Sequence, residues 1–221
     1  MVIISQEYFK KISEKIKFHF PEKVNDKTFK TIIHPTAKIH HSAQISPLRV
    51  KIGRNAAIDE YAIIESGTEI GNSVRINAHA RIGIPEFLDD NLPSSLRGEG
   101  YGKVIINDGV FIHAHCTIEK PFFSDITTIG IKCHIDSLSS ISAGATLGSL
   151  TLIAGLVTIG KYSSIGSRTW VGPGCLIKPG ITIGNSCYVT LGSKVSKSIG
   201  PNKIVKDNWA VDRTKFKGII P

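Results

Sequence analysis

The sequence predicts an all-β protein whose chain coils as a parallel solenoid, and three observations lead to this fold class. Every sixth residue from Ile129 to Val195 is aliphatic, without a break. The fifth position of each six is small or β-branched, as at Cys133, Ser139 and Ala145. Gly, Asn, Asp, Ser and Pro fill many of the positions between them. Because an amphipathic helix needs apolar residues at i, i+3, i+4 and i+7, a period of six indicates short stacked strands instead.

The spacing inside one repeat explains both restricted positions. The aliphatic and the small residue are four positions apart, and alternate side chains of a strand point to the same side, so both can face one interior. The small residue suits a corner that is too tight for Leu or Phe. The aliphatic positions of this region are Ile129, Ile135, Ile141, Leu147, Ile153, Ile159, Ile165, Val171, Ile177, Ile183, Val189 and Val195.

The same period predicts the domain organisation. It begins near Ile33, runs to Ile82 and resumes at Ile106, so we expect the solenoid to span residues 32–200, with a tail at 201–221. Residues 1–31 lack the period and predict a short N-terminal helical cap, because the open end of a solenoid must be covered.

The interruption at 84–103 predicts a protruding loop. Insertions of this length in a solenoid are usually functional and map to one face. We expect it to cover a ligand, with Phe87 or Tyr101 available to stack on a nucleotide base. The alternative is a loop without a function.

Composition narrows the possible functions. The net charge of +9 favours phosphate-rich ligands, because Lys and Arg pair with phosphate, and no nucleic-acid-binding motif accompanies it. No apolar run is long enough to span a membrane and the start does not read as a signal peptide, so we expect a cytoplasmic protein. The four cysteines occupy inward small positions without a CxxC pair, which predicts buried thiols and no metal or disulfide.

The repeats at 159–164 (Ile-Gly-Lys-Tyr-Ser-Ser) and 183–188 (Ile-Gly-Asn-Ser-Cys-Tyr) resemble those of the hexapeptide-repeat acyltransferases. The resemblance implies a left-handed parallel β-helix with three strands per turn, a homotrimer, and coenzyme A or acyl carrier protein in the groove between subunits. About twenty-four repeat starts then give eight coils, roughly 40 Å long at about 4.8 Å per coil.

Residues 102–195 resemble the matching half of UDP-3-O-acylglucosamine N-acyltransferase. The catalytic His of that family falls at Ala143, that of the related sugar acetyltransferases at Ser137, and a further family His at Cys175. The usual base is therefore replaced at these positions. Three alternatives follow: a base that has moved to a nearby side chain, transfer without a protein base, or a catalytically silent chain.

Candidate site residues follow from this comparison. The candidates for catalysis are His134, Asp136, Ser137, His115 and Glu119. For an acyl-CoA cofactor, or an acyl carrier protein in its place, the candidates are Gly155, Lys161, Arg168, Lys178 and Lys206. The basic members of the second set could equally form an ordinary solvated face.

This reasoning predicts transfer of an acetyl or short acyl group from acyl-CoA to the amino group of a nucleotide-linked sugar, in surface polysaccharide or lipopolysaccharide synthesis. One alternative is a sugar O-acetyltransferase, which needs a stronger base. The others are a non-catalytic binding or scaffold protein, and a metal-dependent hydratase with His113, His115 and His134 as ligands.

Overall fold

The computed structural model describes residues 30–86, 102–122 and 125–215. The chain divides into two units after Lys30, and everything below concerns the second unit, residues 31–221, in its described parts. The expected N-terminal helical cap, Phe87 and Tyr101 lie outside the described residues.

Three parallel sheets form the three sides of a coil, and the chain passes through them in turn. The first sheet contains β1 (Ile32–Ile33), β4 (Lys51–Ile52), β7 (Thr68–Ile70), β10 (Lys103–Ile106), β13 (Ile126–Ile129), β16 (Thr146–Leu147), β19 (Ser164–Ile165) and β22 (Thr182–Ile183). The second contains β2 (Lys38–Ile39), β5 (Ala57–Ile58), β8 (Arg75–Ile76), β11 (Phe111–Ile112), β14 (His134–Ile135), β17 (Leu152–Ile153), β20 (Trp170–Val171), β23 (Tyr188–Val189), β25 (Lys203–Lys206) and β26 (Trp209–Asp212). The third contains β3 (Gln44–Ile45), β6 (Ile63–Ile64), β9 (Arg81–Pro85), β12 (Thr117–Lys120), β15 (Ser140–Ile141), β18 (Thr158–Ile159), β21 (Leu176–Ile177) and β24 (Lys194–Val195).

Strands β1 to β24 make eight turns of three strands, because each strand up to β21 pairs in parallel with the strand three positions later. This confirms the predicted all-β parallel solenoid with three strands per turn. The second sheet continues past residue 200: β25 pairs in parallel with β23, and β26 then pairs with β25 in the antiparallel direction. A 3-10 helix, Arg213–Lys215, follows. Among the described residues, no helix is long and apolar enough to cross a membrane.

The core lies inside the coil and is built from the two restricted positions of the repeat. Ile135, Ile141 and Leu147 are buried in the successive strands β14, β15 and β16, and Ser139 and Ala145 are buried at the corners. The four cysteines are likewise free and buried. Burial raises the pKa of Cys116 to about 11, which suits the predicted role of these residues as small core side chains.

The corner between the second and third sheets carries the site described below. One residue of this corner adopts a left-handed backbone in coil after coil, as at His115, Leu138 and Leu156. This conformation is costly for residues other than Gly. It is compensated here because each of their N–H groups donates to a carbonyl of the preceding coil, for example Leu138 N to Ala114 O at 3.1 Å.

The turn of the coil that contains β11, β12 and β13 is longer than the turn that follows it, and this changes the register of the second sheet. His134 pairs with Leu152, 18 residues further on, whereas Phe111 pairs with His134, 23 residues further on. The extra residues therefore decide which side chains meet between β11 and β14.

Candidate active site

Two histidines and a carboxylate meet where β11 and β14 turn into the corner between the second and third sheets. His113 Nδ1 lies 3.7 Å from Asp136 Oδ1. The His113 and His134 rings are 5.8 Å apart at their centroids and nearly perpendicular. The Phe111 ring packs against both, with centroid distances of 4.2 Å to His113 and 4.9 Å to His134. These four residues, Phe111, His113, His134 and Asp136, are called the histidine cluster below.

The backbone places these side chains. His113 is the first corner residue after β11, and its N–H donates to Ile135 O at 2.9 Å, so it lies directly beside the equivalent corner residue of the next coil, Asp136. Asp136 Oδ1 also accepts from Ser137 N at 2.7 Å. This bond holds the carboxylate at the corner, facing the imidazole of His113.

The electrostatics of the cluster favour a neutral imidazole at His134. Partial burial, which disfavours the charged ring, and the electrostatic influence of His113 lower the pKa of His134, and Asp136 opposes them. The neutral ring has a free nitrogen that can accept a proton.

The side of the cluster towards the next coil is kept open by a glycine. A Cβ at Gly155 would lie 3.3 Å from Ser137 O and 3.6 Å from Asp136 Oδ2. A side chain there would press on the Ser137 carbonyl and contact the carboxylate. Gly155, an expected cofactor contact, therefore lies beside the histidine cluster, which contains the predicted residues His134 and Asp136 and adjoins Ser137.

Comparison with known proteins identifies the fold. The model of the family of bacterial transferase hexapeptides (six repeats) matches residues 49–83, and no curated protein sequence matches the chain. LpxA of Acinetobacter baumannii is 20% identical, covers 82% of this chain and 70% of its own, and superposes with a TM-score of 0.61. The LpxA of Bacteroides fragilis, a UDP-N-acetylglucosamine acyltransferase, is 22% identical, with coverage of 82% and 70% and a TM-score of 0.59. The UDP-N-acetylglucosamine acyltransferase of Campylobacter jejuni is 25% identical. That match covers 80% of this chain and 72% of the other, with a TM-score of 0.51.

The chain has the left-handed β-helix fold, and its residues 49–83 match the hexapeptide-repeat family. The expected handedness, which the repeat pattern left open, follows from the similarity to these β-helices.

The two remaining catalytic candidates of this β-helix lie outside the histidine cluster. The His115 ring stacks on His79 at 4.9 Å, and His79 stacks on Tyr61 at 5.1 Å, so these three rings form a ladder along the corner. Glu119 lies towards the C-terminal end of β12 in the third sheet, where its Oε2 accepts from Ala143 N at 3.1 Å. Its carboxylate thus holds the backbone at Ala143, where the resemblance to the UDP-3-O-acylglucosamine N-acyltransferases placed the catalytic His.

The basic residues expected to bind a cofactor lie on different corners. Lys161 and Lys178 lie between the third and first sheets, Arg168 lies between the first and second sheets, and Lys206 is exposed at the end of β25. Lys161 Nζ is 2.8 Å from Oε2 of the buried Glu86. This ammonium group is therefore already paired with a carboxylate.

Sequence reasoning missed His113 as a possible base, because it considered His113 only as a possible metal ligand. The 23-residue step to Asp136 does not follow from a period of six, and no other signal in the sequence indicates the pair. Within residues 30–86, 102–122 and 125–215, no group of three or more His, Cys, Asp or Glu side chains could hold a metal ion.

Proposed function

We propose that the protein transfers an acyl group from an acyl thioester to a nucleotide-linked sugar, with His113 as the general base. The observation that carries the proposal is the His113–Asp136 pair, on an open corner of a β-helix whose usual histidine position is Ala143. The fold similarity to UDP-N-acetylglucosamine acyltransferases supports the reaction class.

The pair places a carboxylate beside one ring nitrogen, as in general-base catalysis, and the 3.7 Å between Nδ1 and Oδ1 would have to shorten to a hydrogen bond when substrate binds. Asp136 favours the tautomer of His113 with its proton on Nδ1, which leaves Nε2 as the acceptor. The amino or hydroxyl group of the sugar attacks the thioester carbonyl and passes its proton to Nε2. The C–S bond then breaks, and the departing thiolate takes this proton. Such a base typically contributes about 10²–10⁴-fold to the rate.

The proposal further specifies an amino group as acceptor and coenzyme A as donor, with acyl carrier protein as the alternative donor. An amine attacks before it loses its proton, so the modest basicity of an imidazole is sufficient, whereas a hydroxyl group needs more assistance. The net charge of +9 suits the phosphates of both substrates. Such a reaction would serve surface polysaccharide or lipopolysaccharide synthesis.

The proposed homotrimer rests on a contrast between the outer faces of the sheets. In the later coils, the second sheet presents apolar side chains, Leu152, Trp170 and Tyr188, and the Trp170 and Tyr188 rings stack at 4.3 Å. At the equivalent positions, the first sheet has Thr128, Thr146, Ser164 and Thr182, and the third has Thr117, Ser140, Thr158 and Leu176. An exposed apolar patch of this kind favours self-association. Light scattering of the Leu152→Asp variant should show a smaller particle than the wild type.

The proposed activity is tested by following thiol release from acetyl-CoA with a panel of nucleotide-linked amino sugars. His113→Ala should lower kcat by about 10²–10⁴-fold, and Asp136→Asn should lower it and alter its pH profile, because the orientation of the imidazole is lost. His79→Ala removes a histidine that lies at the same corner but outside the cluster, and this variant should keep the wild-type rate. Full activity of His113→Ala would exclude it as the base, and no transfer with any acyl-CoA or acyl carrier protein would favour a binding or scaffold role.

A further inference from the structure

We infer that the diphosphate of the acceptor binds at Arg75, on the N-terminal side of the histidine cluster, with the sugar lying across Phe111. This inference rests on the proposed function. It specifies where and in which direction a nucleoside-diphosphate sugar lies on the second sheet.

The register of the second sheet aligns the residues concerned. Arg75 pairs with Phe111, and Phe111 pairs with His134, so the three side chains stand in one outward row on consecutive coils. The guanidinium carbon of Arg75 lies 5.8 Å from the centroid of the Phe111 ring. The aromatic ring thus supports the cation by a cation–π contact and joins it to the histidine cluster.

Arg75 forms no ion pair with any residue in the described ranges, whereas three other basic side chains of these coils do. The paired side chains are Lys51 and Lys103 with Glu69, and Arg81 with Glu65. Arg75 is exposed, and its planar fork of N–H donors matches two phosphate oxygens better than a lysine does.

The charge of the row also suits a diphosphate. Towards the N-terminus the row continues through Ala57 to Lys38, so from Lys38 to His134 it contains two permanent cations and no carboxylate. A row of one sign attracts a ligand of the opposite sign. The nucleoside end of the acceptor would therefore point towards Lys38.

The distances fit the chemistry of the acceptor. Strands of a sheet are about 4.8 Å apart, so the backbones of Arg75 and His134 are separated by about 10 Å. In a nucleotide sugar the diphosphate is attached at C1, and the ring lies between it and the substituents on the far carbons. With the diphosphate at Arg75, the apolar face of the sugar can lie on Phe111 and its reacting group can reach His113. The acyl donor then approaches from the other side, past Gly155.

Calorimetry with UDP and GDP as probes, and with uridine and guanosine as phosphate-free controls, tests the inference. Arg75→Gln should weaken binding of the better nucleoside diphosphate at least tenfold, and Arg75→Lys should weaken it less. Arg81→Gln, which removes a guanidinium from the third sheet, should leave binding unchanged. In the transfer assay, Arg75→Gln should raise KM for the acceptor about tenfold and leave KM for the acyl donor unchanged.

The outcomes separate this inference from the proposed function. Arg75-dependent binding of a nucleoside diphosphate without any acyl transfer would support the site and refute the activity. Acyl transfer with Arg75→Gln at the wild-type acceptor KM would support the activity and refute the site. The absence of UDP and GDP binding to the wild type, or a loss confined to the donor KM, would also overturn the inference.

Discussion

Replacing Ile135 by Ala should cost about 3–5 kcal/mol of the free energy of unfolding, within the range measured for large buried aliphatic side chains. Ile135 is fully buried in the middle of the β-helix, and its strand lies between those of Ile112 and Ile153 in the second sheet. The substitution removes three carbon atoms, which forfeits about 2.4 kcal/mol at about 0.8 kcal/mol per methylene. The remaining cost is the cavity, which cannot collapse because the coils on both sides hold the backbone apart.

Urea unfolding followed by circular dichroism and by tryptophan fluorescence, at one protein concentration, measures this cost. Agreement of the two probes tests whether the transition is two-state, and a fixed concentration removes any effect of assembly. Ile135→Val should lose about 1 kcal/mol. Ile131→Ala, the same change at a side chain that is 48% exposed, should lose less than about 1 kcal/mol. If Ile135→Ala cost no more than Ile131→Ala, the interior aliphatic column would not hold the coils together.

Three further predictions follow. Ellman's reagent should leave the native thiols unmodified at pH 8 and react with all four in urea. The reason is that burial raises their pKa values, that of Cys116 to about 11. Fast reaction of a native thiol would contradict their inward placement. Gly144→Ala should destabilise the protein by about 1–3 kcal/mol more than Gly174→Ala. A Cβ at Gly144 would lie 2.3 Å from the Tyr162 ring, whereas Gly174 has a similar positive φ and nothing within 4 Å of its Cβ position. Equal losses would show that the ring simply moves away. The stability of the wild type relative to His134→Gln should decline as the pH falls from about 7 to about 5. The pKa of His134 is lowered in the folded state, so the unfolded chain is the better proton acceptor below pH 6.5. A constant difference in stability would be inconsistent with that pKa direction.

The strands and the core were predictable because they depend on local geometry. Alternation within a strand and the tight corner of the repeat both act over a few residues, so a period of six identifies inward positions directly. Ile82 and Ile106, on the two sides of the insertion, were both expected to face inward, and both are buried.

The contacts of the site were less predictable because they depend on how many residues each turn contains. His134 and Asp136 were candidates from the start, but their neighbour His113 becomes one only because the turn of the coil between β11 and β14 is longer than the next. Likewise, the sequence does not reveal that Lys161 pairs with Glu86, which lies 75 residues earlier at the start of the interruption.

Residue order alone was sufficient to predict a parallel β-coil and the residues that fill it, whereas three strands per turn and the replacement of the usual histidine at Ala143 and Ser137 came from the resemblance to a known family. Only the folded chain brought His113 against Asp136 and aligned Arg75, Phe111 and His134 in one row. The physical reason is that burial patterns repeat with the strand, whereas contacts between coils shift with every residue that an irregular turn adds.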